Sequence, residues 1–271
     1  MRKFLVRFRW ARQLGRRWYR HQRQSPPRTP SGWEVKPPDF VGVGVQKAGT
    51  TWWYELIAAH PKVSHHARPK ELHFFDSYWA QPFTDDDAAT YARYFARPPG
   101  LVSGEYTPGY LSLFWAPAQL RVAAPDARLL VMLRDPVDRY RSGLSLAAAA
   151  TKGELPATRA KEAFRRGLYA EQLELLFQHF PPSQVLILQY EQTRDEPLPD
   201  LARTYEFLGL DADYVPETLT EERNPAFGTR LTVPGDVREQ LVDSYTPDIK
   251  RLLALVPDLD LSRWPNFKHL A

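Results

Sequence analysis

Cysteine is absent from the 271 residues of the chain. Disulfides and thiolate metal sites are therefore excluded, and a reducing compartment is compatible with the sequence. Long apolar runs are also missing. No run approaches the ~18 residues that a transmembrane helix needs, and the N-terminal segment lacks the apolar core of about 7–15 residues that a signal peptide has. We therefore expect a cytoplasmic protein.

Acidic residues are scarce in residues 1–36, which hold 11 Lys and Arg residues and one acid, Glu34. This segment carries a net charge of +10, so the rest of the chain carries −6 of the overall +4. Nucleic acid is therefore not an expected partner of the globular part. Aromatic residues alternate with the arginines, which fits a basic helix lying peripherally on an anionic membrane; a solvated arm is the alternative.

The remaining chain has the composition of a packed globular protein, because 43% of all residues are hydrophobic and 13% are aromatic. Its length suits one large α/β domain. We predict a basic arm with a Pro-rich linker over residues 1–38 and a single domain over residues 39–271.

Apolar patterns predict strands that alternate with helices. Strands are expected near 39–45 and within 101–111, 127–136 and 183–191, and helices near 50–60, 136–150, 160–179, 197–208 and 236–255. Asp135 and Pro136 are expected to cap and open the second of these helices. This alternation predicts a parallel sheet covered by helices.

The stretch QKAGTT, residues 46–51, lies between the first strand and the first helix. A helix N-terminus at the carboxyl end of a parallel strand favours anions. Here Gly49 permits close backbone approach, Thr50 and Thr51 offer hydroxyl groups, and Lys47 adds charge. The lysine precedes the glycine, so the triphosphatase pattern G-x-x-x-x-G-K-[ST] is not met. No acid suited to magnesium and no zinc spacing of histidines is found, which favours a metal-free anion site.

Three further segments accompany this loop: LRDPVDRYRSGL, KELHFFDS and GEYTPGYL. Together with QKAGTTWW, their order and spacing resemble the sulfotransferases that use 3′-phosphoadenosine 5′-phosphosulfate (PAPS). The heparan-type and related carbohydrate enzymes and the bacterial members are the most similar. The resemblance runs from about residue 39 to 255, and it implies a P-loop-like three-layer α/β fold with a central parallel sheet.

The resemblance implies a set of donor-binding residues. The 5′-phosphosulfate would be held by the loop residues Lys47, Ala48, Gly49, Thr50 and Thr51, with Lys47 stabilising the bridging oxygen as the nucleotide leaves. Arg134 and Ser142 would bind the 3′-phosphate, whereas Arg139 and Arg141 are expected to be solvated or structural. Trp52 would lie against adenine, or else belong to the core as expected for Trp53. Further nucleotide contacts are implied for Tyr190, Gly228 and Arg230, with packing or a plain loop as the alternatives.

The resemblance also implies a general base. Glu71 would accept the proton of the acceptor hydroxyl, and partial burial would raise its pKa. A surface salt bridge with Lys70 or Arg68 is the alternative for Glu71. His73 is a second candidate base or a substrate contact, with a core position as its alternative.

The expected activity is transfer of a sulfuryl group from PAPS to a hydroxyl of a carbohydrate, glycolipid or small metabolite, without a metal. The chain departs from the heparan-type pattern at Tyr106, where those enzymes have a lysine near the acceptor, which weakens the case for a strongly anionic glycan. An ATP-dependent kinase of the P-loop class is the first alternative. A non-catalytic protein that acts through its basic arm is the second.

Overall fold

A computed structural model describes residues 25–64, 70–150, 155–220 and 231–271. The predicted residues His65, His66, Arg68, Gly228 and Arg230, and most of the basic arm, lie outside this described part. In the described part, four parallel strands form one sheet in the order β2–β1–β3–β4. They are β1 Phe40–Gly44, β2 Gly104–Tyr106, β3 Arg128–Leu133 and β4 Val185–Gln189.

Helices flank this sheet, as the α/β prediction requires. Within the described ranges they are α1 Thr50–Ala58, α2 Asp85–Ala92, α3 Ala116–Ala123, α4 Pro136–Ala150, α5 Ala157–Arg165, α6 Tyr169–Phe177, α7 Tyr190–Asp195, α8 Pro197–Leu208 and α9 Gly235–Leu255. Helix α1 packs on α8, α2 packs on α3, and α9 packs on α6 and α4. None of the helices in the described ranges is long and apolar enough to cross a membrane.

The inner strands are buried on both faces, which explains their nearly continuous apolar sequences. All five residues of β1 are buried, and in β3 only the first residue, Arg128, is exposed. Every connection between neighbouring parallel strands passes through helical segments, so the carboxyl ends of all four strands meet at one edge of the sheet.

The single helix predicted over 160–179 is wrong. Helix α5 ends at Arg165, and a separate helix, α6, begins at Tyr169. Tyr245 of α9 causes the break: its hydroxyl donates to the carbonyl of Phe164 at 2.9 Å, and it would lie 2.7 Å from a Cβ added to Gly167. An apolar periodicity cannot reveal a side chain that arrives from a distant helix.

The strand positions and the four other predicted helices are confirmed, whereas α2, α3 and the short α7 were not predicted. Helix α2 begins with three acids and has a weak apolar pattern. Its start is marked by a capping box instead, in which the Thr84 side chain accepts from the Asp87 N–H and the Asp87 carboxylate accepts from the Thr84 N–H.

Close packing of β1 on β2 makes Gly42 a sensitive position. A Cβ at Gly42 would lie 2.1 Å from the ring of Tyr106, which is fully buried. We therefore expect Gly42→Ala to lower the free energy of unfolding by about 1–3 kcal/mol, measured by urea denaturation. Gly109→Ala is the matched control, because nothing lies within 4 Å of its added Cβ. Equal stability of the two variants would contradict this packing.

Candidate active site

Three predicted site residues follow three neighbouring strands. Lys47 lies just beyond β1, Arg134 directly follows β3 and Tyr190 directly follows β4. Arg134 Nη1 donates to the carbonyl oxygen of Lys47 at 2.7 Å, and its guanidinium lies 4.9 Å from the centroid of the Tyr190 ring. The sheet edge therefore brings the loop lysine, the arginine and the tyrosine together.

The loop between β1 and α1 has a left-handed backbone at two residues, Lys47 (φ 74°) and Gly49 (φ 76°). A side chain at Gly49 would meet the ring of Tyr190 at 2.6 Å, so glycine is required for both conformation and space. The turn directs the chain into Thr50 and Thr51, the first residues of α1. The N-terminus of α1, whose Gly49 cap makes no side-chain hydrogen bond, therefore lies just beyond the carboxyl end of β1, a position that favours anions.

The ammonium of Lys47 lies in a partly buried, positively charged environment. Burial lowers the pKa of Lys47, the nearby Arg134 lowers it further, and the carboxylate of Glu71 opposes both effects. Two cations and an anion thus lie within electrostatic reach of each other. A negatively charged ligand beside Lys47 and Arg134 would relieve their mutual repulsion.

The backbone of Arg134 is fixed by the start of α4, which follows it, and by a hydrogen bond from α6. Tyr169 donates its hydroxyl to the Arg134 carbonyl at 2.8 Å, and Asp135 caps α4 by accepting from the Val137 N–H at 2.9 Å, which confirms the predicted cap. The Nε of Arg134 is buried and has no hydrogen-bond partner in the described part of the chain. Ser142 lies half-buried in the second turn of the same helix.

The neighbouring arginines differ in role. Arg139 is fully buried and its Nη2 contacts the carbonyl of Ala163, so of the two expected alternatives, solvated or structural, the structural one is confirmed. Arg141 is partly exposed and pairs with Asp138 at 3.0 Å. Asp138 and Asp135 thus each have another partner, and neither neutralises Arg134.

Two adjacent tryptophans follow the loop. Trp53 is completely buried, which confirms its place in the core. Trp52 is 8% exposed and meets Trp53 edge-to-face, with ring centroids 5.3 Å apart. Tyr190 packs between Gly49 and Arg134. The nucleotide contacts implied for Trp52 and Tyr190 stay predictions.

The segment that contains Glu71 and His73 is held by one buried carboxylate, Glu105 of β2. Its Oε2 accepts from the Leu72 N–H at 3.1 Å and from the Thr107 hydroxyl at 2.5 Å. Its Oε1 accepts from the hydroxyls of Tyr91 and Tyr110 at 2.6 and 3.2 Å. Sequence reasoning used the segment GEYTPGYL for the family resemblance but assigned no role to its Glu105 and Thr107.

Glu71, His73 and Asp76 form a row of hydrogen-bonded side chains. His73 Nε2 lies 3.2 Å from Glu71 Oε2, and its Nδ1 lies 3.0 Å from Asp76 Oδ2. The backbone of His73 is left-handed with φ 52°, and in the described ranges Lys47 is the other non-glycine residue with a positive φ. His73 is 40% exposed at its side chain, so it is not a core histidine.

The expected upward shift of the Glu71 pKa is wrong. Burial does disfavour the carboxylate, but the hydrogen bond from His73 and the charge and hydrogen bond of Lys70 outweigh it and lower the pKa of Glu71 to about 2. Hydrogen bonds to Asp76 and Glu71 raise the pKa of His73 to about 10, against its burial. Glu71 is therefore ionised and His73 is protonated at neutral pH.

Lys70 is a site residue that sequence reasoning treated only as a salt-bridge partner. Its Nζ contacts Glu71 Oε1 at 2.9 Å and Thr51 Oγ1 at 3.1 Å, and it lies 5.5 Å from the centroid of the Tyr106 ring. Tyr106 itself is fully buried and donates its hydroxyl to the Gly44 carbonyl at 3.0 Å. The charge missing at position 106 is therefore present nearby, at Lys70.

Among the residues that the structure describes, no group of three or more His, Asp or Glu side chains is arranged to hold a metal ion. The charged groups at the strand ends are instead three cations, Lys47, Lys70 and Arg134, facing the row that begins at Glu71. Such a set can bind an anion and hold a carboxylate close to it.

Comparisons with known proteins agree with this arrangement. Residues 37–225 match the family described as the sulfotransferase domain. Heparan sulfate glucosamine 3-O-sulfotransferase 6 of Mus musculus is 33% identical over 187 residues, 64% of this chain and 52% of that protein. Heparan sulfate glucosamine 3-O-sulfotransferase 3B1 of Homo sapiens is 30% identical over 188 residues, 64% of this chain and 46% of that protein.

A crystal structure of a sulfotransferase from Alicyclobacillus acidocaldarius superposes with a TM-score of 0.69 at 28% identity, covering 85% of this chain and 99% of that one. The fold and the site thus define a protein of the P-loop-like α/β class. The chain belongs to the sulfotransferase family. It spans about half the length of the curated relatives that it matches.

The ion pairs around His73 predict an unusual titration. We expect the imidazole of His73 to stay protonated until near pH 10, and Asp76→Asn to move its pKa back toward 6.5. NMR of the imidazole protons measures this, with Asp85→Asn, an exposed acid, as the control. A wild-type midpoint near 6.5 would contradict the observed hydrogen bonds.

The pKa shifts of His73 and Glu71 also determine the pH range in which their ion pairs stabilise the fold. The pKa of His73 is raised, so its contribution is complete below 6.5 and is lost as the pH rises toward 10. The pKa of Glu71 is lowered, so its contribution is complete above 4.5 and is lost as the pH falls toward 2. Both contributions are therefore fully present between pH 4.5 and 6.5.

Proposed function

We propose that the protein transfers a sulfuryl group from PAPS to a hydroxyl group of an acceptor. The observation that supports this best is the meeting of Lys47, Arg134 and Glu71 at one edge of the sheet, in a chain of the sulfotransferase family. A cationic anion site beside a carboxylate is what the reaction needs, because charge on the departing phosphate must be neutralised and the acceptor must lose a proton.

The donor is bound by two groups of residues in this proposal. The start of α1 holds the 5′-phosphosulfate through the backbone and side chains of residues 47–51. Arg134 and Ser142 hold the 3′-phosphate, for which a forked and permanently charged guanidinium is suited. The buried Nε of Arg134 without a partner in the described ranges supports a ligand at this position. Trp52, Tyr190, Gly228 and Arg230 complete the proposed nucleotide contacts.

The chemical step is an in-line displacement at sulfur. The acceptor oxygen forms a new S–O bond while the bond from sulfur to the bridging oxygen breaks. The electron pair goes to the 5′-phosphate of the leaving adenosine 3′,5′-bisphosphate, and Lys47 stabilises that charge. Glu71 takes the proton of the acceptor hydroxyl, and His73 with Asp76 orients its carboxylate.

The proposed acceptor is a hydroxyl group of a carbohydrate, glycolipid or small metabolite. The two curated relatives named above are, by their names, 3-O-sulfotransferases of heparan sulfate glucosamine, which supports a carbohydrate. Tyr106 is buried and uncharged, but the Lys70 ammonium group lies 5.5 Å from the centroid of its ring, so the site keeps a positive charge at this place. We also propose a cytoplasmic location, with the basic arm of residues 1–36 as a contact for an anionic membrane surface.

An ATP-dependent kinase was the alternative from sequence. Asp135 is engaged as the cap of α4 and accepts from both nitrogens of Asn266, so it offers no free carboxylate for magnesium. Nothing in the site favours this alternative.

Nucleotide selectivity tests donor binding. We expect adenosine 3′,5′-bisphosphate to bind at micromolar concentration and to raise the melting temperature, and ATP with magnesium to have little effect. Arg134→Ala should remove most of the preference for adenosine 3′,5′-bisphosphate over AMP, a loss of about tenfold or more, because the contact to the 3′-phosphate is charge-assisted. Arg141→Ala is the matched control, since Arg141 pairs with Asp138. A preference for ATP with magnesium would overturn the proposal.

Turnover with labelled PAPS and a panel of hydroxyl acceptors tests the chemistry. We expect Lys47→Ala and Glu71→Gln each to lower turnover by about 100-fold or more, since each removes a group that acts in the chemical step. Glu71→Gln should retain nucleotide binding, measured by calorimetry, because only the base is removed. Near-wild-type turnover of Glu71→Gln would remove Glu71 as the base and promote His73 to that role.

A further inference from the structure

Lys70 links the two halves of the candidate site. It lies in the segment that carries Glu71, and its backbone carbonyl accepts from the Tyr106 N–H at 3.0 Å, which extends the pairing along β2. Its side chain is only 16% exposed and points to the start of α1, where Nζ lies 3.1 Å from Thr51 Oγ1 and 3.5 Å from Thr50 Oγ1. The ammonium group therefore lies at the proposed position of the donor's 5′-phosphosulfate.

The same ammonium group forms an ion pair with Glu71, the proposed base. Lys70 Nζ contacts Glu71 Oε1 at 2.9 Å, and His73 Nε2 contacts Glu71 Oε2 at 3.2 Å. Both carboxylate oxygens of Glu71 thus face a cationic donor. A carboxylate with charged donors on both oxygens is a weak base, because these donors stabilise its ionised form. They also lower the pKa of Glu71.

Donor binding changes the contacts of the Lys70 ammonium group, because the bound anion and Glu71 compete for it. We propose that Lys70 couples donor binding to the activation of Glu71: the donor anion draws Lys70 toward Thr50 and Thr51, and Glu71 Oε1 becomes free to accept the proton of the acceptor hydroxyl. Lys70 is therefore a positioning residue that prepares the base only when the donor is present. This inference rests on the proposed function.

The buried Tyr106 explains why Lys70 has this role in this chain. A tyrosine at position 106 covers Gly42 and leaves space above its ring, and the Lys70 ammonium group lies there, 5.5 Å from the ring centroid. The contact is of the cation–π kind, which holds an ammonium group without consuming its hydrogen bonds. The ring takes up none of the three N–H donors of Lys70, which point to Glu71 and the two threonines and can exchange between Glu71 and an anion.

A double-mutant cycle on nucleotide affinity tests the competition. Calorimetry would measure the binding of adenosine 3′,5′-bisphosphate to the full chain, to Lys70→Met, to Glu71→Gln and to the double variant. We expect Lys70→Met to weaken binding about tenfold and Glu71→Gln to strengthen it about threefold, because the first removes a charged contact and the second removes its competitor. In the Lys70→Met background, Glu71→Gln should bring no gain beyond that of Glu55→Gln, an exposed glutamate on α1.

Two further variants of Lys70 distinguish a loss of its charge from a folding defect. Lys70→Arg keeps the charge and should bind within about threefold of the wild type, whereas Lys70→Gln should behave like Lys70→Met. An equal gain from Glu71→Gln in both backgrounds would overturn the coupling while leaving the proposed function intact. No binding of the nucleotide to the wild type would overturn the proposed function and this inference together.

Discussion

The buried carboxylate of Glu105 is the constraint on which the candidate site depends. Its two oxygens accept from the Leu72 N–H and from the hydroxyls of Tyr91, Thr107 and Tyr110. A buried charge is tolerated only when it is fully hydrogen-bonded, so the residues around Glu105 have little freedom. The segment of Glu71 and His73 is thereby fixed beside β2, opposite the loop of Lys47.

The parallel sheet supplies the other half of the site. Neighbouring strands end at one edge, and there the Lys47 carbonyl, the Arg134 guanidinium and the Tyr190 ring contact each other. Left-handed backbone at Lys47 and His73 turns the chain sharply in the loop after β1 and in the segment of Glu71. Such conformations cost free energy in residues other than glycine, and the surrounding hydrogen bonds and packing hold them in place. Strain and buried charge are therefore concentrated where the proposed anion site and the proposed base, Glu71, face each other.

Local patterns predicted much of this arrangement. The apolar strand 128–133 and the Asp135 cap are properties of adjacent residues, and both are confirmed. Predictions failed where a distant residue intervened. Tyr245 splits the helix predicted over 160–179, and Lys70 and His73 reverse the expected shift of the Glu71 pKa. Lys70 was undervalued for the same reason, because its contact with Thr51 joins residues that are 19 positions apart.

The sequence by itself determined the class of fold, the glycine turn at the start of α1 and the family to which the chain belongs, because each follows from apolar periodicity or from short motifs of adjacent residues in a fixed order. Only the tertiary structure decided the charge state of Glu71, the proposed base, and its hydrogen-bond partners. Burial, the position of Lys70 between Glu71 and the threonines, and the network of Glu105 arise when separate segments meet. Electrostatic effects depend on distance in space, so the charge state of Glu71 could not be derived from its neighbours in sequence alone.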